Sequence, residues 1–467
     1  MCPAGTSMPG HRNLLLWLER KPEKVRSTVK IKSIEAIHGK IMSHITTKSG
    51  YQTLVERLNK FPLGVVESET LYRILQTLVT EKEALMLSLL PIKPFNTEKA
   101  AQLWKCDISE ARSILNDLCD KTMLVDIETS GEPEYVLPPP MAGFIEFSLM
   151  RLGNDRNQKR LAELYYQYMN VEEDFVKKLF TVGDTKLGRA FVNEQVIAGD
   201  DTLQVLDYER ASEVINSAEH MAISTCYCRH KMMHAAKACD APLDICMTFN
   251  SSAYSLVKHG SARAVDKSEM FSLLEKAYEH NLVQFGENQQ NRVNFICNCC
   301  GCCCEAMQAQ KRFAFLNSIS TTNFIPAVVE EKCTGCGKCV EVCPVESLSL
   351  VSAGDPVNKK KKKAKLIERH CLGCGICVRS CSREALKLVE RKVKVITPVD
   401  SVHKAVMMAI ERGTLQHLIF DNQAMWNHRA LAAIFGAILN LPPVKQILAS
   451  EQVKSRYMAA LLKRMNL

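Results

Sequence analysis

The chain has 467 residues, with 46 % hydrophobic and 24 % charged residues, the balance of a folded protein rather than a disordered one. That length exceeds one compact core and predicts several domains. The net charge of +9 is uneven: residues 1–60 hold 11 Lys/Arg against 4 Asp/Glu, residues 61–140 hold 7 against 13, and residues 359–365 hold six lysines. Cysteine is the unusual component, at 21. These cysteines cluster, and neither a secretory signal nor an apolar run of membrane-spanning length is found, which predicts metal binding in a reducing, cytoplasmic setting.

Residues 1–48 read as a basic extension without a repeat. A helical pattern runs through Thr70–Leu90, and a second helix opens at NTEKAAQLW, with Asn96 or Thr97 as its cap. Asp107 and Glu110 have the spacing of a capping box, followed by Ile108, Ala111, Ile114, Leu115 and Leu118 at helical intervals. MLVDIE and YVLP, separated by TSGEPE, predict a hairpin. Three helices and a hairpin give a winged-helix-like domain over 49–140.

Residues 141–324 are expected to form a helical domain carrying a cysteine-rich module. Tyr208, Ala211, Val214, Ile215 and Ala218 predict a helix that delivers the chain to Cys226. Asp266 and Glu269 cap another, with Met270, Leu273, Leu274 and Ala277 inward.

From 333 to 389 the chain repeats with a period of 38 residues: Cys333, Cys336, Cys339 and Cys343 recur as Cys371, Cys374, Cys377 and Cys381. The lysine-rich stretch reads as an insert ending the first copy, on a loop beside the clusters. Both copies have the spacing C-x2-C-x2-C-x3-C. Thiolates in this pattern suit a cubane of four irons, the fourth cysteine of each run reaching the other cluster. One cluster is thereby assigned to Cys333, Cys336, Cys339 and Cys381, the other to Cys371, Cys374, Cys377 and Cys343. Glycines 335, 337, 373 and 375 allow backbone N–H groups to approach the cluster sulfurs. Residues 325–398 resemble the bacterial-type two-[4Fe-4S] ferredoxin domain, with Ser382 where that family usually has proline. The resemblance implies electron transfer.

Upstream, CYCRH at 226–230 is followed by Cys239, Cys246 and CNCCGCCC at 297–304. Three readings fit these ten cysteines. One is a third iron–sulfur site drawn from Cys226, Cys228, Cys239, Cys246, Cys297, Cys299 and Cys300. Another is a structural zinc site, with His230 or His234 as candidates. The last is redox dithiols or unligated thiols. Residues 50–467 as a whole are similar to a set of bacterial iron–sulfur cluster-binding proteins that join a winged-helix-like segment, a C-x-C-R…C-N-C-C module and a two-cluster ferredoxin domain. The fold class is therefore α+β and mostly helical, with the C-terminal 399–467 as a helical tail that includes the apolar run Ala430–Leu441.

The helix 107–121 and its wing carry Asp107, Glu110, Asp117, Asp120, Asp126, Glu128, Glu132 and Glu134, a surface that repels phosphate and makes DNA an unlikely partner. No catalytic residue, nucleotide loop or substrate pocket is identifiable. The reading is a protein passing single electrons between unidentified redox partners through two [4Fe-4S] clusters and a further iron–sulfur or zinc site. Its alternatives are an electron-transfer subunit of a larger oxidoreductase and a redox-responsive winged-helix regulator.

Overall fold

The computed structural model describes residues 48–127, 131–151, 158–197, 205–420, 431, 432 and 434. The expected extension 1–48, apart from its last residue, and the apolar run 430–441, apart from three residues, lie outside them. Among the described residues no helix is long and apolar enough to cross a membrane.

The N-terminal unit holds α1 (Gly50–Leu58), α2 (Glu69–Leu78), α3 (Glu81–Leu89), α4 (Thr97–Trp104) and α5 (Ile108–Asp120), then β1 (Val125–Ile127) paired antiparallel with β2 (Glu134–Val136). The single helix expected over Thr70–Leu90 is two. Thr80 and Glu83 form a capping box, the Thr80 side chain accepting from the Glu83 N–H at 3.3 Å and Glu83 accepting from the Thr80 N–H at 2.8 Å, and this restarts the helix. Asn96 caps α4. Asp107 occupies the cap position of α5 but makes no side-chain cap bond, so the expected capping box is not formed. Ile108 is exposed and leaves the buried face to Ala111, Leu115 and Leu118. Asp126 is no part of a phosphate-repelling surface: it is fully buried and held by Lys258 at 2.5 Å.

Residues 141–324 are not the helical domain expected. After α6 (Phe144–Met150), α7 (Gln158–Tyr166) and α8 (Asp174–Thr181) comes a six-stranded sheet in the order β3-β7-β8-β5-β4-β6. Its strands are β3 (Gly188–Ala190), β4 (Met221–Thr225), β5 (Asp244–Phe249), β6 (Arg263–Ala264), β7 (Val283–Glu287) and β8 (Phe295–Cys299). Helices α9 (Ala211–Ser217), α10 (Tyr227–His234), α11 (Asn250–Lys258), α12 (Lys267–Glu279) and α13 (Glu305–Phe313) connect and cover it. The predicted apolar face of α9 is real, with Ala211, Val214 and Ile215 buried, but β4 and not α9 delivers the chain to Cys226. The strands were hidden because Met221–Thr225 and Asp244–Phe249 are buried nearly throughout, which erases the alternation of a half-buried strand.

The C-terminal unit shows the repeat as structure. β9 (Phe324–Val328), the one-turn helix α14 (Lys338–Glu341) and β10 (Leu348–Ser352) recur 38 residues later as β11 (Lys362–Leu366), α15 (Ile376–Arg379) and β12 (Leu386–Glu390). β9 pairs with β12 and β10 with β11, so each two-stranded sheet joins the outer strand of one copy to a strand of the other. The lysine-rich stretch is thus not wholly an insert: Lys362–Leu366 is the first strand of the second copy, with Ala364 buried. Helices α16 (Ser401–Arg412) and α17 (Leu415–Ile419) fold back on the molecule. Arg412 donates to the carbonyls of Pro62, Leu179 and Val182, tying the tail to the N-terminal unit and α8.

Candidate metal centres

Each ferredoxin cysteine triplet wraps a tight loop whose shape requires glycine. Gly335 (φ 70°) and Gly373 (φ 73°) adopt the left-handed conformation, and a Cβ at either would lie 2.3 Å from the Lys362 carbonyl or 2.1 Å from the Phe324 carbonyl. The loops are pressed against β11 and β9, a role for glycine beyond exposing N–H groups.

Cys333, Cys336, Cys339 and Cys381 line one cavity, together with Ser382. Cys371, Cys374 and Cys377 gather with Cys343. Burial first, then Cys371 and Cys343, push the Cys374 thiol up to about 12; burial and the same neighbours also raise Cys377. Cys339 adjoins both groups. The copies match in detail: the Ser347 N–H points at the Cys343 sulfur and the Ala385 N–H at the Cys381 sulfur, both at 3.3 Å. Ala364 and Gly373 N–H groups point at the Cys333 and Cys371 sulfurs, both at 3.4 Å. Cys336 is exposed, whereas Cys371 and Cys377 are buried, so the first group faces solvent and the second faces the sheet unit.

Six of the seven candidates named from sequence, all but Cys239, line one chamber, and four of the ten upstream cysteines form a tighter group. Cys239, from the loop after α10, meets Cys300, Cys302 and Cys303, from the turn after β8, with all four sulfurs within 4.8 Å of one another. The Cys239–Cys300, Cys302–Cys303 and Cys239–Cys303 separations are 3.6, 3.7 and 3.8 Å. A tetrahedron of Zn–S bonds about 2.3 Å long has edges of about 3.8 Å. This donor set therefore fits one tetrahedral ion. Hydrogen bonds from Cys239, Cys302 and Cys303 hold the Cys300 thiol well below its ordinary range.

The other six, Cys226, Cys228, Cys246, Cys297, Cys299 and Cys304, line an adjoining chamber that Cys300 also borders. A β-bulge between Ser224 and Thr225 turns the chain out of β4 into Cys226, which caps α10. Cys297 and Cys299 share a face of β8 because strand residues alternate. Cys304 stands 3.1 Å from Cys299, and Cys246 is 3.9 Å from Cys297. Six thiols exceed the four ligands of a cubane. Cys302, Cys303 and Cys304 were missed from sequence. The signal was in the run CNCCGCCC itself: its six cysteines exceed the four ligands of one centre, so it had to divide.

Charged groups organise both centres. Arg229 is buried and donates to the carbonyls of Pro242 at 3.0 Å and Asn298 at 2.8 Å. Burial would lower its pKa, but Cys226, Cys300, Cys299 and Cys239 outweigh that and raise it, so the guanidinium stands between the two thiol groups. Lys231 on α10 forms a fully buried ion pair with Glu305 at the start of α13, next to Cys304. Burial pushes the Glu146 carboxyl, on the chamber wall, up to about 7. His230 donates from Nδ1 to the Leu149 carbonyl at 2.9 Å and its ring lies tilted against that of His234; neither joins a thiol group among the described residues.

The end of the first copy's cysteine run and the four-thiol turn touch. A Cβ on Gly301 would lie 2.4 Å from the Pro344 carbonyl, beside Cys343.

Residues 332–385 match the family profile of the 4Fe-4S dicluster domain. A comparison with curated proteins and one with solved structures each gave no match. The chain thus carries a 4Fe-4S dicluster domain within a larger cysteine-rich molecule, and is an iron–sulfur protein.

Proposed function

We propose that this chain is an electron-transfer protein in which two [4Fe-4S] clusters lead from the surface to a buried iron–sulfur centre, with a zinc ion supporting the junction. Cys333, Cys336, Cys339 and Cys381 would hold the outer cluster, and Cys371, Cys374, Cys377 and Cys343 the inner one. Four of the six chamber thiols would hold a third cluster. Cys239, Cys300, Cys302 and Cys303 would hold zinc, since their spacing suits a single ion. When bound, the clusters supply one-electron redox chemistry. The protein's own part is to supply thiolates, point N–H groups at the sulfurs, and exclude water from the inner groups.

The observation that carries this reading is the contiguity of the groups: an exposed Cys336 at one end, Cys339 shared between the first two, and Gly301 packed on Pro344 at the other. The redox partner is unidentified. A cluster of Lys359, Lys360 and Lys362 on the β10–β11 hairpin favours an acidic one. The test is electron paramagnetic resonance of dithionite-reduced protein. Cys336→Ala should remove the outer cluster's signal and leave the inner ones; an unchanged spectrum and iron content would overturn the ligand assignment.

A further inference from the structure

Beside the six-thiol chamber lies a cavity of about 500 Å³, within the range of small-molecule sites. Its lining comes from six parts of the chain: the N-terminal unit (Phe61), α6 (Phe147), the sheet (Phe295), α11 (Ser251), α16 (Met408) and α17 (Leu418). Glu146, Leu187, Tyr227, Cys246, Phe295 and Cys297 line both this cavity and the chamber, so one wall separates them.

The lining selects a ligand class. It is mainly apolar, Lys404 is already paired to Glu287, and Lys93 is engaged by a neighbour. A charged molecule would gain no net partner there. The hydroxyls of Ser251 and Ser252 offer donors to a carbonyl oxygen. The position against Cys246 and Cys297 favours a molecule that exchanges electrons.

We propose that this cavity binds an uncharged, planar carbonyl compound of the quinone class, seated against the wall of Cys246 and Cys297. This rests on the reading of the six-thiol chamber as a redox centre, and it places the chain's electron acceptor or donor inside the chain itself.

The test uses duroquinone, whose four methyl groups block addition of thiols, titrated into the anaerobic full-length holoprotein by calorimetry. One molecule should bind per chain. Ala405→Trp on α16 and Val136→Trp on β2, each filling the cavity from a different element, should weaken binding at least tenfold without changing iron content. Duroquinone should also shift the resonance spectrum of the chamber cluster and not that of the outer cluster. Absence of binding, or binding unchanged in both variants, overturns the proposal. Binding that the variants abolish, in a protein whose chamber yields no iron signal, upholds the cavity as the site and refutes the chamber as a redox centre, so the two failures are distinguishable.

Discussion

Arg229 donates to the Asn298 carbonyl at 2.8 Å, fixing α10 to the strand that carries Cys297 and Cys299. Asn298 in turn donates from its side chain to the Ile245 carbonyl at 2.8 Å, on the strand carrying Cys246. One guanidinium thus aligns three of the segments that supply thiols, and its charge opposes the accumulation of negative thiolates in both groups.

Arg229→Leu should therefore cost about 3 kcal/mol, because a charged donor leaves two buried carbonyls unpaired. Denaturant unfolding of the anaerobic protein measures this. Metal content should fall in both upstream groups while the ferredoxin clusters persist. Loss confined to one group would place Arg229 with that group alone.

Lys231 and Glu305 pose a sharper comparison. Lys231→Met leaves Glu305 buried and unpaired, at a cost of about 3–5 kcal/mol. The double variant Lys231→Met, Glu305→Leu removes both charges and should recover most of it. If the double variant is as unstable as the single, the ion pair is needed for more than charge balance, for instance through its contact with Asn170.

Neighbouring glycines in the first ferredoxin loop should behave differently. Gly335→Ala drives a Cβ into the Lys362 carbonyl and should empty the outer cluster. At Gly337 (φ 86°) the nearest atom is Leu350 Cδ1 at 3.5 Å, so alanine there bears only the left-handed strain, about 1–2 kcal/mol. Iron content of the two variants separates the cases.

The β1–β2 hairpin is anchored through charge, which makes its docking depend on pH. Burial alone would lower the His259 pKa, but Asp126 and Asp120 overcome it and raise it above the ordinary value. A raised pKa means that the stabilisation is complete below the unfolded value, about 6.5, and is lost as pH rises through the folded value. Asp126 is held low mainly by His259 and Lys258 against the effect of burial, so its contribution vanishes only in strong acid. Urea midpoints of wild type and His259→Asn should differ most below the unfolded value and converge as pH rises through the folded one. A gap that widens with pH would contradict the arrangement.

The ferredoxin unit was legible because its ligands obey a local spacing and because a 38-residue repeat can be read without knowing the fold. The extension of that repeat back to β9 and β11 was not legible, since FIPAV and KKAKL share no side-chain character; only backbone pairing makes them equivalent. In the upstream module the cysteines were visible but their partition was not. Cys239 lies 61 residues from Cys300, and the sheet that brings them together consists of buried strands without a polar alternation. The cavity could not be seen at all, because its lining runs from Phe61 to Leu418.

The most direct measurement is iron, zinc and acid-labile sulfide per chain on anaerobically prepared protein, repeated for Cys302→Ser and for the triple variant Cys246→Ser, Cys297→Ser, Cys299→Ser. Three cubanes and one tetrathiolate ion predict about 12 iron, about 12 sulfide and about one zinc. Cys302→Ser should lose the zinc and retain the iron; the triple variant, left with three of the six chamber thiols, should lose iron from the chamber alone and retain the zinc. About 8 iron with no zinc, unchanged in both variants, would confine the metal to the ferredoxin domain and contradict the account of the upstream cysteines.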